Sequence, residues 1–131
     1  MANFILSAFA DEADKNVTGQ IAALKANNIT HIEPRGIDGV NISEITEAKA
    51  KELRKIFDDN GIGVSALGSP FGKIGIKDDF APHFELFKKG VEIANILGTK
   101  NIRMFSFFME GCESYEPYRD EVFERLSKMC D

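Results

Sequence analysis

The chain has 131 residues, of which 44% are apolar, and this length predicts one packed domain over residues 1–131. Its 16 basic and 21 acidic residues give a formal net charge of −5, which disfavours a nucleic-acid partner because a phosphate backbone selects a basic surface. No apolar run reaches the roughly 18 residues that a membrane span requires, so we expect no membrane partner either.

The first residues and the cysteines bear on where the protein works. Met1-Ala2-Asn3-Phe4 lacks the basic region that opens a secretion signal. Cys112 and Cys130 are too few for a disulfide scaffold, and their spacing fits no zinc motif. The sequence therefore predicts a protein of the reducing cytoplasm.

Four short apolar runs rich in β-forming residues occur in chain order, and each is followed by a segment with helical periodicity. Asn28, Gly61 and Gly98 stand between a helical segment and the next run, where a left-handed residue ends a helix. Thr46 and Ser114 are predicted helix N-caps. The runs cover residues 4–9, 29–33, 62–67 and 101–107.

The helical segments carry apolar residues on one face. The clearest pattern has steps of four, three, four and three residues. The apolar positions are Val17, Ile21 and Leu24; Leu53, Ile56 and Phe57; Phe80, Phe84, Phe87, Val91 and Ala94; and Tyr118, Val122, Leu126 and Met129.

This alternation predicts an α/β protein of four βα units with a parallel sheet. Two architectures fit: half of a (β/α)8 TIM-type barrel, or a small open α/β sandwich. The first turn, residues 10–14, is acidic and has no glycine. It therefore disfavours the phosphate-binding turn that an open nucleotide-binding sandwich would carry.

Polar residues at the carboxyl ends of the strands are the candidates for chemistry, because sites form there in βα proteins. Glu33 follows a buried strand and needs a partner or a role; pairing with Arg35 or a loop amide is about as probable as contact with substrate. Arg35 suits an anionic or hydroxylated substrate. The candidate substrate-binding residues are Glu33, Arg35, Lys73, Ser106 and Phe108.

Several other residues have a structural interpretation that we prefer. Asp11 and Glu12 are expected to cap the first helix, and Arg103, inside the fourth strand, is expected to pair with a carboxylate such as that of Glu33. His31 is expected in the core and His83 on the surface, and two distant histidines make a poor metal centre. Phe105, Phe107 and Phe108 suit the core better than a pocket wall, Lys73 suits a solvated loop as well as a site, and Cys112 suits an ordinary thiol.

The strand-end segments resemble, in order and spacing, the N-terminal half of the sugar phosphate isomerase/epimerase family, whose members have a xylose isomerase-like barrel. The resemblance covers essentially the whole chain. The segments that carry it are Phe9-Ala10-Asp11-Glu12, Ile32-Glu33-Pro34-Arg35-Gly36, Ser65-Ala66-Leu67-Gly68-Ser69-Pro70-Phe71-Gly72-Lys73-Ile74 and Ile102-Arg103-Met104-Phe105-Ser106-Phe107-Phe108.

The resemblance implies an eight-stranded barrel enzyme that moves a proton between neighbouring carbons of a sugar or polyol, with a small sugar or sugar phosphate as its expected substrate. Such enzymes hold a divalent metal with residues of the later strands, so no metal ligand and no catalytic base is carried over to this chain. Glu33 matches the strand-two carboxylate of the family. The related abasic-site endonucleases are disfavoured, because they need several histidines and a basic face.

Two functions follow. The first is a truncated sugar (phosphate) isomerase or epimerase, inactive alone, whose full-length parent uses a divalent metal. The second is a free-standing half-barrel that acts as an interaction or assembly module. In both, the inner face of the sheet is expected to expose apolar residues from Phe4 to Phe107, and we expect a homo-oligomer to cover them.

Overall fold

A computed structural model of the chain describes residues 4–131; residues 1–3, in the segment considered above for a secretion signal, lie outside the described residues. The fold is mixed α/β. Single 3₁₀ turns cover Ala10–Glu12 and Glu116–Tyr118. The elements are β1 (Ser7–Ala8), α1 (Val17–Ala26), β2 (His31–Ile32), β3 (Gly36–Ile37), β4 (Val40–Asn41), α2 (Glu47–Asn60), β5 (Gly63–Val64), α3 (Phe80–Leu97) and α4 (Arg119–Cys130).

The main sheet is parallel and follows chain order. β1 pairs with β2, and β2 pairs with β5. The fourth predicted strand joins through a parallel bridge between Leu67 and Ile102, and Arg103 N donates to Leu67 O at 2.9 Å. All four predicted strand segments therefore lie side by side with their carboxyl ends at one edge, and no closed barrel forms within residues 4–131.

The regular strands are shorter than the sequence predicts. Pro34 and Pro70 follow the second and third strand segments closely. Because proline has no backbone N–H, it cannot continue a ladder of hydrogen bonds. Pro34 thereby limits regular pairing beyond β2, and each of β1, β2 and β5 has two residues.

A small antiparallel hairpin, β3–β4, was not predicted from the sequence. Its turn residues Asp38 and Gly39 have φ values of 54° and 80°, the left-handed pair that a two-residue hairpin turn needs. Asp38 Oδ1 accepts a hydrogen bond from Val17 N at 2.9 Å, and Asp38 Oδ2 lies 2.9 Å from Lys49 Nζ. The hairpin is thereby fixed to the start of α1 and to α2.

Apolar side chains between the sheet and the helices form the core. Ile32, Leu53, Phe57 and Leu97 have no exposed surface, which places them between the central strand and the α2–α3 layer. The predicted apolar faces are confirmed for most positions. The prediction for Val91 is wrong, because this residue is 36% exposed.

The predicted helix ends are largely confirmed. Thr46 Oγ1 accepts from Lys49 N at 3.1 Å at the start of α2, while Gly61 and Gly98 adopt left-handed φ values of 69° and 78° after α2 and α3. Ser114 does not cap α4. Its hydroxyl accepts from Glu116 N at 3.2 Å, so it begins the 3₁₀ turn that precedes the helix.

Arg125 fixes α4 to the rest of the domain, a role that the sequence did not indicate. Its side chain is 7% exposed, and Nη2 donates to Ile76 O at 2.9 Å and lies 2.6 Å from Glu121 Oε1. The guanidinium also lies 5.2 Å from the ring centroid of Phe80 and 5.1 Å from that of Phe107. A buried arginine needs such partners to offset the loss of hydration.

The expectation of a continuous apolar inner face is wrong. Ser7, His31 and Ser65 lie on one polar face of the sheet, where Ser7 Oγ is 2.6 Å from Ser65 Oγ. Phe107 is only 8% exposed, because it packs inward against α3 and α4. The most exposed apolar side chains are Phe4, Ile5 and Leu6 before β1, at 85%, 72% and 62%, with Phe108, Tyr115 and Phe123 near the other end of the sheet.

Among residues 4–131, no helix combines the length and the apolar character needed to cross a membrane.

Two glycines with left-handed backbones give a matched test of this packing. Gly72 has φ +84° and no space for a side chain, because a Cβ would overlap the carbonyl of Phe105; Gly39 has φ +80° and open space around it. Gly39→Ala is expected to lower the free energy of unfolding by about 1–2 kcal/mol, the cost of the left-handed backbone. Gly72→Ala is expected to cost at least about 3 kcal/mol, because the overlap is added.

Urea unfolding of both variants and the wild type measures this difference. If both variants lost the same free energy of unfolding, the close approach of the turn at Gly72 to the fourth strand segment would be contradicted.

Candidate substrate cleft

A cavity of about 550 Å³ opens at the edge where the parallel strands end. Its walls come from the β3–β4 hairpin, from the loop after β5 and from the fourth strand segment. We call it the strand-end cleft. Its lining residues include Asp11, Lys15, Arg35, Asn41, Lys73 and Arg103.

The charge of the cleft is opposite to that of the protein. Four cationic side chains line it against the single carboxylate of Asp11, although the chain as a whole carries −5. A concave, locally basic site on an acidic protein attracts small anions, because its walls concentrate the field.

Arg35 is held by two carboxylates. Its Nε lies 3.1 Å from both oxygens of Asp11, and Nη2 lies 2.5 Å from Glu12 Oε1. These hydrogen bonds, that to Glu12 first, raise the pKa of Arg35 above its already high ordinary value. The guanidinium also covers the ring of Phe9, 4.5 Å from its centroid.

Two expectations about these groups are wrong. Arg35 pairs with Asp11 and Glu12 rather than with Glu33, because its side chain turns toward the loop after β1. Asp11 and Glu12 do not cap α1, since they lie in the 3₁₀ turn, and Asp38 accepts the hydrogen bond from the first N–H of α1 instead.

Glu33 and Arg103 form the ion pair that the sequence predicted, at a long distance. Arg103 Nε lies 3.9 Å from Glu33 Oε1, and Nη2 donates to Gly68 O at 3.2 Å. The Arg103 guanidinium stands 5.0 Å from the ring centroid of Phe9 and 5.3 Å from that of Phe105. Glu33 is therefore linked to the cleft through Arg103.

Lys73 is exposed at the mouth of the cleft. Its Nζ lies 4.5 Å from the ring centroid of Phe105. Within residues 4–131 no carboxylate lies within 4.0 Å of this ammonium. Cation–π contact with Phe105 fixes the position of Lys73 without neutralising it.

Ser106 and Phe108 do not line the strand-end cleft, although Phe108 borders a neighbouring cavity together with Lys73. Ser106 borders an apolar cavity of about 390 Å³ beside α4, together with Phe107 and Phe123. Phe108 borders a third cavity, of about 530 Å³. Both candidates were predicted from their position at the carboxyl end of the fourth strand, and Phe107 between them has a left-handed φ of 74°, which an extended strand does not adopt.

The structure therefore places Arg35 and Lys73 in the lining of the cleft, with Glu33 beside the lining residue Arg103. Ser106 lines a separate cavity, and Phe108 lines one that Lys73 also borders. Sequence reasoning missed Lys15 and Asn41 in the cleft wall. The Asp38-Gly39 pair, a strong hairpin signal, was the feature that could have located Asn41.

His83 is half-buried, not fully on the surface as expected. Its Nε2 accepts a hydrogen bond from Gly72 N at 2.7 Å, and its ring meets Phe71 edge to face. Burial, and then the charge of Arg125, hold the pKa of His83 below its usual 6.5. His31 is half-buried, with Nδ1 3.0 Å from Thr30 Oγ1.

The described residues do not fit a metal centre. Within residues 4–131, no three His, Cys, Asp or Glu side chains come together as metal ligands would. The cleft instead offers cations, an amide and aromatic faces, which suit a polar, anionic organic molecule.

Parallel strands joined by helices, with a polar cleft at the strand ends, define a mixed α/β protein. The family model described as xylose isomerase-like TIM barrel matches residues 21–131. The chain therefore belongs to this family, which places it in a sugar isomerase/epimerase-like superfamily. Neither a search of curated proteins nor a search of solved structures gives a significant match.

The His83–Gly72 bond makes stability depend on pH. The pKa of His83 is lowered in the folded state, so the unfolded chain binds more protons, and stability is lost as the pH falls below about 6.5. His83→Gln keeps an acceptor but does not titrate. We expect the wild type to lose stability more steeply than His83→Gln between about pH 6.5 and 5.

Thermal unfolding across this pH range measures the effect. His31→Gln leaves the bond to Gly72 in place and should keep the slope of the wild type. If the stability of His83→Gln fell with decreasing pH as steeply as that of the wild type, the histidine would not hold the turn.

Proposed function

We propose that this chain provides the substrate-binding half of a sugar (phosphate) isomerase or epimerase. The observation that carries the proposal is the strand-end cleft, where cations from separate loops surround a space large enough for a sugar. Family membership supports the reaction class, and the position of the cleft at the carboxyl ends supports a substrate site.

The proposal gives the residues of the cleft different tasks. Lys73 and Arg103 bind the substrate, and Arg35 fixes the loop after β1 against the loop after β2. Glu33 stands beside Arg103 and accepts hydrogen bonds from sugar hydroxyls. Ser106 and Phe108 have no place in this site.

We further propose that residues 1–131 form the first four βα units of an eight-stranded barrel. Four parallel strands in chain order and family membership support this. A divalent metal of the complete, cytoplasmic enzyme would then be held by the other half, where it polarises substrate oxygens. On this proposal, residues 4–131 bind and orient the substrate and are inactive alone.

The second candidate is a free-standing half-barrel that assembles with copies of itself. Apolar side chains exposed at both ends of the sheet favour it. Three of them, Phe4 to Leu6, precede β1, and Phe123 lies on α4 beyond the fourth strand segment. Unpaired strand edges invite pairing with another chain.

Glu33 gives the test of the enzymatic proposal. Moving a proton next to a carbonyl in D₂O incorporates deuterium into the sugar, which mass spectrometry detects. In a protein that carries all eight units, Glu33→Gln is expected to slow incorporation about tenfold or more, because it removes a charged partner of the substrate. The melting temperature is expected to change by only a few degrees.

Glu92→Gln, on the exposed side of α3, makes the same chemical change far from the cleft and should leave deuterium incorporation unchanged. Normal incorporation together with a melting temperature lowered by many degrees would make Glu33 structural and remove it from the site.

Sedimentation of the 131-residue chain tests the half-barrel proposal. A half-barrel with open edges is expected to sediment at micromolar concentration as a homodimer or larger species. A single 14.5 kDa species with a cooperative thermal transition would contradict it and favour a self-sufficient α/β sandwich.

A further inference from the structure

The cations of the strand-end cleft are not equivalent. Arg35 is already neutralised, because hydrogen bonds join its guanidinium to the carboxylates of Asp11 and Glu12. It therefore holds two loops together and has little charge left to offer a ligand. Arg103 and Lys73 differ from Arg35 because neither makes a hydrogen bond to a carboxylate in the described residues.

Arg103 and Lys73 converge on one aromatic ring. The Lys73 ammonium lies 4.5 Å from the centroid of Phe105, and the Arg103 guanidinium lies 5.3 Å from it. The nearest carboxylate to this pair in the described residues is that of Glu33, 3.9 Å from Arg103 Nε. At that distance no hydrogen bond forms, so both cations keep charge to offer an anion.

The hydrogen bonds of Arg103 are also incomplete. Its Nε is buried without a hydrogen-bond partner within residues 4–131, 3.9 Å from the Glu33 carboxylate, while Nη2 is engaged with the carbonyls of Gly68 and Ser69. Buried N–H groups are paired in nearly all proteins, and exceptions mark functional positions. An arginine with donors to spare, beside an unpaired lysine, is suited to oxyanions.

We infer that Arg103 and Lys73 form an anion subsite that takes a phosphate or carboxylate group of the sugar. The inference rests on the proposed function, since it assigns the charged end of the substrate of the same cleft. Both cations contact the ring of Phe105, and the carboxylate of Glu33, beside Arg103, is left for the hydroxyls. The subsite thus selects a charged sugar over a neutral one.

Isothermal titration of the 131-residue chain with four probes tests this subsite: inorganic phosphate, glucose 6-phosphate, gluconate and glucose. The charged sugars are expected to bind more tightly than glucose, and the phosphate and carboxylate arms show which anion is preferred. Arg103→Gln and Lys73→Gln should each weaken binding of glucose 6-phosphate about tenfold or more, because each removes a charge-assisted hydrogen bond.

Two matched variants control for net charge. Arg119→Gln on α4 and Lys100→Gln at the start of the fourth strand segment remove the same charges from exposed positions. Both should leave affinity within about twofold of the wild type. Lys73→Arg keeps the charge on the exposed side chain and should retain binding, which separates loss of charge from loss of folding.

The outcomes distinguish this inference from the function on which it rests. Glucose bound as tightly as glucose 6-phosphate, or equal weakening in the control variants, would overturn the anion subsite while a sugar site remained. Phosphate bound through Arg103 and Lys73, with no added affinity from the sugar, would uphold the subsite and contradict the sugar isomerase proposal.

Discussion

Parallel pairing in chain order is the constraint on which the site depends. Because β1, β2, β5 and the fourth strand segment run the same way, every loop that follows a strand opens on the same edge. Residues that are far apart in the chain meet there. They are Phe9, Arg35, Lys73 and Arg103, and the first and last of them are 94 positions apart. A slip of one residue in any strand would turn its side chains to the opposite face and disperse the cluster.

Aromatic rings and carboxylates make this crowding of cations tolerable. Cationic side chains and aromatic rings alternate across the cleft, in the order Arg35, Phe9, Arg103, Phe105 and Lys73. Each such contact is worth about 0.5–2 kcal/mol, depending on exposure. The two acidic residues after β1 neutralise only one end of this row, so the positive charge that remains is concentrated at the other end.

The sequence predicted the order of the elements better than their contacts. Apolar runs and left-handed helix ends located the four βα units, because burial and backbone conformation leave local signals. The partner of Arg35 was not predictable in this way, since the choice between Glu33 and Asp11 depends on the direction in which one side chain turns. The cavities that Ser106 and Phe108 line were not predictable either, because the left-handed φ of Phe107 interrupts the strand between them, and the position of His83 depended on a turn 11 residues away.

Occupation of the strand-end cleft by a substrate is tested by the amide NMR spectrum of the chain titrated with a sugar phosphate. We expect chemical-shift changes confined to the β3–β4 hairpin, the loop from Gly68 to Lys73 and the segment around Arg103. Changes centred on the apolar cavity beside α4, or no change at millimolar sugar phosphate, would contradict it.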